Sequence, residues 1–239
     1  MAVEYKTIQE AGLIPQVDCP DLGLDGCARH EDKTLGGIQK VAKWHVEGLS
    51  EAVAFLNASR LRVHACRADY PGPRDVGVPL KEMANIVLKA KPELLSIEAC
   101  NPGHAHEHEV WGKENVDVPE KKIFLPGVID TTSSHVEHPE LVKQRLRQYV
   151  DSLRQAQKKR ERQSGAAPGG QPFSPPARCK AYTPTIMACT DCGFGTAAGA
   201  NNLTRELVFK KIGAMCKGAK LLEEELAAEG AMDESVKGA

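Results

Sequence analysis

Short apolar runs alternate with longer stretches of helical periodicity along this chain. Leu13-Ile14-Pro15-Gln16-Val17-Asp18 is a brief extended run that ends on an acid, after a helix-like stretch over residues 5–11 closed by Gly12. Over residues 34–57, Leu35, Ile38, Ala42, Leu49, Ala52 and Leu56 recur at the spacing of one helix face. Leu61-Arg62-Val63-His64-Ala65-Cys66 reads as a second strand. Residues 79–90 read as a helix with Pro79 near its start and Met83, Ile86, Val87 and Leu88 on the buried side. Leu94-Leu95-Ser96-Ile97-Glu98 and residues 123–130 are strand-like, although Pro126 and Gly127 are unusual inside a strand. A polar-rich helix is predicted over 139–160, a fifth strand over Thr185-Ile186-Met187-Ala188-Cys189, and a final helix over 203–228.

Strand then helix, five times over, predicts parallel strands joined by crossover helices, an α/β architecture. Residues 163–180, rich in Gly, Pro and Ser from Ser164 to Pro176, read as a flexible insertion within one domain spanning 1–229. Residues 230–239 read as a disordered tail. The basic run 158–162 carries an interleaved acid and reads as a solvated helix end rather than a targeting signal.

Composition narrows the function classes. Lys plus Arg is 31 against 32 Asp plus Glu, giving a net charge of −1, so no broad positive field invites nucleic acid. No apolar run approaches the roughly 18 residues of a membrane span, and the N-terminus lacks a signal-peptide pattern. Eight cysteines in that context read as reduced thiols or metal ligands. The expectation is a cytoplasmic globular protein without nucleic-acid or membrane partners.

The reactive residues share one position. Asp18, His64 with Cys66, Glu98, Asp130 and Cys192 all lie at or just past the C-terminal ends of the strand-like runs, the edge that carries the active site of a parallel barrel. Side chains on a strand repeat with period two, so His64 and Cys66 face the same way and can grip one ion. His-x-Cys alone is weak, because a half-buried histidine and an inert thiol are the commoner outcome. With Glu98 and Cys192 added, the set offers one nitrogen, one oxygen and two sulfurs, which suits tetrahedral Zn²⁺. Cys189-x-x-Cys192 has redox-dithiol spacing, but Gly193 and Gly195 disfavour the helix that would activate it, and Cys189 is expected to be a core thiol. His104, His106 and His108 read as a solvated loop, with His104 of interest as a proton donor because it follows Glu98. His45 reads as a core histidine. Asp130 either floors the site or bonds a helix N-terminus, and Asp130 and His104 are the two catalytic candidates. Cys19, Cys27, Cys100, Cys179 and Cys216 have no assigned role.

Four stretches, Val17-Asp18-Cys19-Pro20-Asp21-Leu22, Val63-His64-Ala65-Cys66, Leu95-Ser96-Ile97-Glu98-Ala99 and Ala188-Cys189-Thr190-Asp191-Cys192-Gly193, resemble the C-terminal catalytic barrel of cobalamin-independent methionine synthase and its shorter homologues. Pro126-Gly127-Val128-Ile129-Asp130 and Val136-Glu137-His138-Pro139-Glu140 are similar as well. The resemblance implies a partial TIM-type (βα)8 barrel of the UROD/methionine-synthase-like kind, its five parallel strands corresponding to the fourth to eighth. It implies zinc held by His64, Cys66, Glu98 and Cys192, and Asp18 on the amino group of homocysteine. The implied activity is transfer of a methyl group from 5-methyltetrahydrofolate (polyglutamate) to the zinc-bound thiol of homocysteine, giving methionine. Other readings are zinc-dependent alkyl transfer to another small thiol, of the epoxide-thiol type, or an inactive zinc-binding remnant. Five strands where the family has eight imply that three upstream βα units are absent, with open barrel edges available for self-association.

Overall fold

In a computed structural model the described residues are 2–22, 34–67, 77–164, 186–195 and 203–237, with 164 and 230–237 described by backbone alone. Five parallel strands form one sheet in sequence order: β1 (Gln16–Asp18), β2 (Arg62–Ala65), β3 (Leu94–Ile97), β4 (Ile123–Ile129) and β5 (Cys189–Thr190). Helices α1 (Ala2–Glu10), α2 (Leu35–Ala52), α3 (Leu80–Val87), α4 (Pro139–Ser164) and α5 (Arg205–Lys237) alternate with them. The result is a half-barrel with flanking helices: the parallel α/β order expected from the alternation, in the partial TIM-type form that the resemblance implies.

β3 and β4 are buried on both faces, which is why they read as nearly continuous apolar runs, whereas β2 alternates Arg62 and His64 with Val63 and Ala65. α2 begins at Thr34, whose Oγ1 accepts from the Gly37 amide at 3.1 Å. α3 lays Leu80, Met83, Ala84, Ile86 and Val87 into the core. A 3-10 helix, Ala105–Gly112, sends Trp111 fully inside, edge-on to Phe124 of β4 with ring centroids 4.8 Å apart. α4 and α5 lie against each other at Gly218, where a side chain would meet Val142. Arg147 and Arg154 of α4 reach Glu225 and Glu229 of α5.

Several boundaries differ from the pattern. The fifth strand sits at Cys189–Thr190, with Ile186 making a single bridge to Phe124 ahead of it, and the register with β4 shifts between Gly127 and Ile129. Pro126 and Gly127 stay within β4 all the same. The stretch expected to be a solvated histidine loop is the 3-10 helix above, with Glu107 and Trp111 buried and only His106 of the three histidines fully exposed. His45 is half-buried and pairs with Asp21, Nδ1 to Oδ2 at 3.2 Å, instead of serving the core. α5 runs past residue 228 to Lys237. The expected insertion falls mostly outside the described residues, as do Cys27 and Cys179. Among the described residues no helix is long and apolar enough to cross a membrane.

Candidate metal centre

Register builds the site. Asp18 of β1 pairs with His64 of β2, and His64 pairs with Ser96 of β3, so the three stand in one row across the sheet. Two residues further along, Cys66 and Glu98 form the next row on the same face. Cys192 follows the short strand β5 and closes the group from the other side. One ligand atom from each of His64, Cys66, Glu98 and Cys192 lies within 4.8 Å of all the others. The sequence placed these four together, and the structure brings them together.

The geometry suits a cation. A tetrahedral site with bonds of 2.0–2.3 Å has edges of about 3.3–3.8 Å. Cys66 Sγ lies 3.7 Å from Cys192 Sγ and 3.4 Å from Glu98 Oε1. His64 is buried; its Nδ1 meets Ser96 Oγ at 2.9 Å, while its Nε2 is buried without a hydrogen-bond partner among the described residues. An orphaned ring nitrogen beside two thiols and a carboxylate is costly in a protein interior unless something ligates it. One nitrogen, one oxygen and two sulfurs are the donor chemistry of zinc, so the residues present fit that ion.

The surroundings hold this arrangement. Glu98 is buried, its Oε1 accepting from the Arg67 amide at 2.5 Å and its Oε2 meeting Asn101 Nδ2 at 3.4 Å. Arg67 itself is buried and ion-paired with Glu107 of the 3-10 helix. Glu107 also accepts from the Leu80 amide at 2.7 Å and meets His104 Nδ1 at 3.0 Å. Burial alone would raise the Glu107 carboxyl, but His104, Arg67 and the Leu80 amide outweigh it and hold it at about 2. The hydrogen bond with Cys66, then burial and the nearby charges of Cys66 and Glu98, push the Cys192 thiol well above its usual range. Asp191, fully buried, accepts from the Ala99, Cys100 and Asn101 amides at 2.7, 3.0 and 3.0 Å.

The remaining candidates find these places. Asp18 is exposed at the end of β1, its carboxyl raised by burial of its inner side against the opposing pull of His64. Asp130 caps its own turn, Oδ1 accepting from the Thr132 amide and hydroxyl and the Ser133 amide. His104 turns Nδ1 to Glu107. Cys189 rests with Sγ 3.5 Å from Ser96 Oγ, and burial pushes the Cys19 thiol up to about 12. Ser96 and Asp191 lie inside the strand-end stretches already singled out and Arg67 directly after one, but none of the three had a role assigned from sequence.

No family model and no curated protein matches the sequence. Among solved structures, the chain is similar to a B12-independent methionine synthase from Shewanella sp. W3-18-1, described in complex with selenomethionine. The TM-score is 0.60 at 18% identity, and the match covers 95% of this chain. The fold is a half-barrel of the kind found in that enzyme. The chain spans about half the length of that enzyme, 53% of it. The likeness is one of fold, and the four donors sit at the strand ends of that half-barrel.

Proposed function

We propose that this protein is a zinc-dependent methyltransferase that makes methionine by moving the methyl group of 5-methyltetrahydrofolate to the thiol of homocysteine. The observation that carries the reading is the convergence of His64, Cys66, Glu98 and Cys192 at the C-terminal ends of strands in a methionine synthase-type fold. Zn²⁺ held by His64 Nε2, Cys66 Sγ, Cys192 Sγ and a Glu98 oxygen would supply the Lewis acidity that makes a substrate thiol nucleophilic at neutral pH.

The chain's own residues supply the rest. Ser96 engages Nδ1 of His64 and so presents Nε2 to the site. Two cysteinates would neutralise the ion, leaving Glu98 as the exchangeable donor, and the Arg67 amide and Asn101 Nδ2 already flank its carboxylate. Asp18 lies one strand over and is reached by solvent, which supports giving it the substrate's ammonium group as partner. That carboxylate favours an amino-acid thiol such as homocysteine over a small thiol without an amine. The methyl group leaves a nitrogen and joins a sulfur, so the reaction needs alignment of two substrates more than covalent help from the protein.

X-ray absorption on the zinc-loaded protein tests the reading. Adding homocysteine should replace an oxygen or nitrogen scatterer by sulfur at about 2.3 Å. Asp18→Asn should raise the KM for homocysteine while zinc content holds. An unchanged coordination shell at saturating thiol would sink the proposal.

A further inference from the structure

Cys192 is the least anchored of the four donors by ordinary sheet pairing. β5 contributes two residues, its register with β4 is broken between Gly127 and Ile129, and Cys192 lies beyond the last pair. Beyond the ladder, the Asp191 amide reaches Ile129 O at 2.9 Å. What ties this end to the rest is the Asp191 side chain. Its oxygens accept from three consecutive amides, Ala99, Cys100 and Asn101, which directly follow the donor Glu98 on the β3 side. β3 and β5 are not neighbours, since β4 runs between them.

The carboxylate crosses β4 at Gly127. A Cβ built on Gly127 would overlap Asp191 Oδ1 and stand 2.6 Å from its Cα. Only a residue without a side chain lets Asp191 through, which explains a glycine inside a buried strand where it otherwise weakens the ladder. A buried carboxylate on three amides makes charge-assisted bonds, stronger and more directional than neutral ones.

We infer that Asp191 is a positioning residue for the donor group: passing β4 at Gly127, it fixes Cys192 against Cys66 and Glu98. The inference rests on the metal-site reading only for its zinc measurement. Asp191→Asn isolates the effect. Asn keeps an acceptor for Ala99 and Cys100 but turns a donor toward the Asn101 amide, and Asn101 also touches Glu98.

The test uses the full chain in metal-free form, equilibrated with oxidised and reduced glutathione. Cys66 and Cys192 give two electrons and two protons to oxidised glutathione, forming one disulfide and two molecules of reduced glutathione, and peptide mass mapping counts the product. The equilibrium constant for this disulfide should fall at least tenfold in Asp191→Asn and in Gly127→Ala. Zinc affinity, measured by chelator competition, should fall tenfold to a hundredfold, the usual cost of losing an outer-shell partner. The ligand-field spectrum of the cobalt form should change in the same variants, which a purely stabilising bond would not cause. Folded variants with wild-type disulfide equilibrium and spectrum overturn the inference. If the wild type binds no zinc but the disulfide equilibrium shifts, the metal reading fails and the positioning role stands. If neither variant folds, amide exchange in the wild type decides: Ala99, Cys100 and Asn101 should be protected as well as the β3 ladder, and exchange at open-loop rates would overturn the role.

Discussion

Cys66 Sγ lies 3.7 Å from Cys192 Sγ, although the two residues are 126 positions apart in the chain. The separation is too long for a disulfide, whose sulfurs sit at about 2.05 Å, and close to the edge of a tetrahedral dithiolate site. A pair held at that spacing beside a carboxylate and an imidazole nitrogen unpartnered among the described residues could hold an ion between them.

One zinc ion per folded chain is the first expectation. Cys66→Ser and Cys192→Ser should each lose most of the metal, read by elemental analysis after gel filtration. Full zinc content in both variants would remove the assignment.

Ser96→Ala should weaken zinc binding about tenfold to a hundredfold by releasing the ring of His64. Chelator competition measures it. Wild-type affinity in the variant would show that the ring is set by packing alone.

The site's legibility divides along the same lines. His64 and Cys66 were readable because strand periodicity is local, and Glu98 and Cys192 because strand ends are where barrel chemistry gathers. Ser96 and Asp191 were not, because their roles depend on which strands lie side by side and on a carboxylate passing over Gly127. His104 was misread as solvated because its partner Glu107 is drawn inside by Arg67, 40 residues earlier in the chain. The strand count and parallel order were legible throughout. The extent of β5 was not, since which of its residues pair is set by the partner strand β4 and leaves no mark in its own sequence.

Acid should weaken the fold through Glu107. Its carboxyl is held at about 2, below the 4.5 of a free glutamate, so its stabilisation is complete above about pH 4.5 and is lost as pH falls toward 2. The shift corresponds to roughly 3 kcal/mol. Urea unfolding across that window should show a steeper decline in the wild type than in Glu107→Gln. Parallel curves would exclude this group as the cause.

Two glycines of α5 should respond to alanine with opposite signs. At Gly218 a Cβ would stand 2.5 Å from Val142 Cβ and 2.6 Å from Pro139 O, so Gly218→Ala should cost about 1–3 kcal/mol by forcing the helices apart. At Gly213 nothing lies within 4 Å, and Gly213→Ala should gain about 0.5–1 kcal/mol from helix propensity. Thermal unfolding of the two variants compares them directly.

The donors also have an order of arrival. β2 and β3 are adjacent in sequence and in the sheet, so their pairing alone gathers His64, Cys66 and Glu98. Cys192 joins Cys66 across 126 positions, against 32 for Glu98, and the entropy of that longer closure is met later in folding. Synthesis therefore delivers three of the four donors, on two strands adjacent in sequence and sheet, well before the cysteine that completes the set.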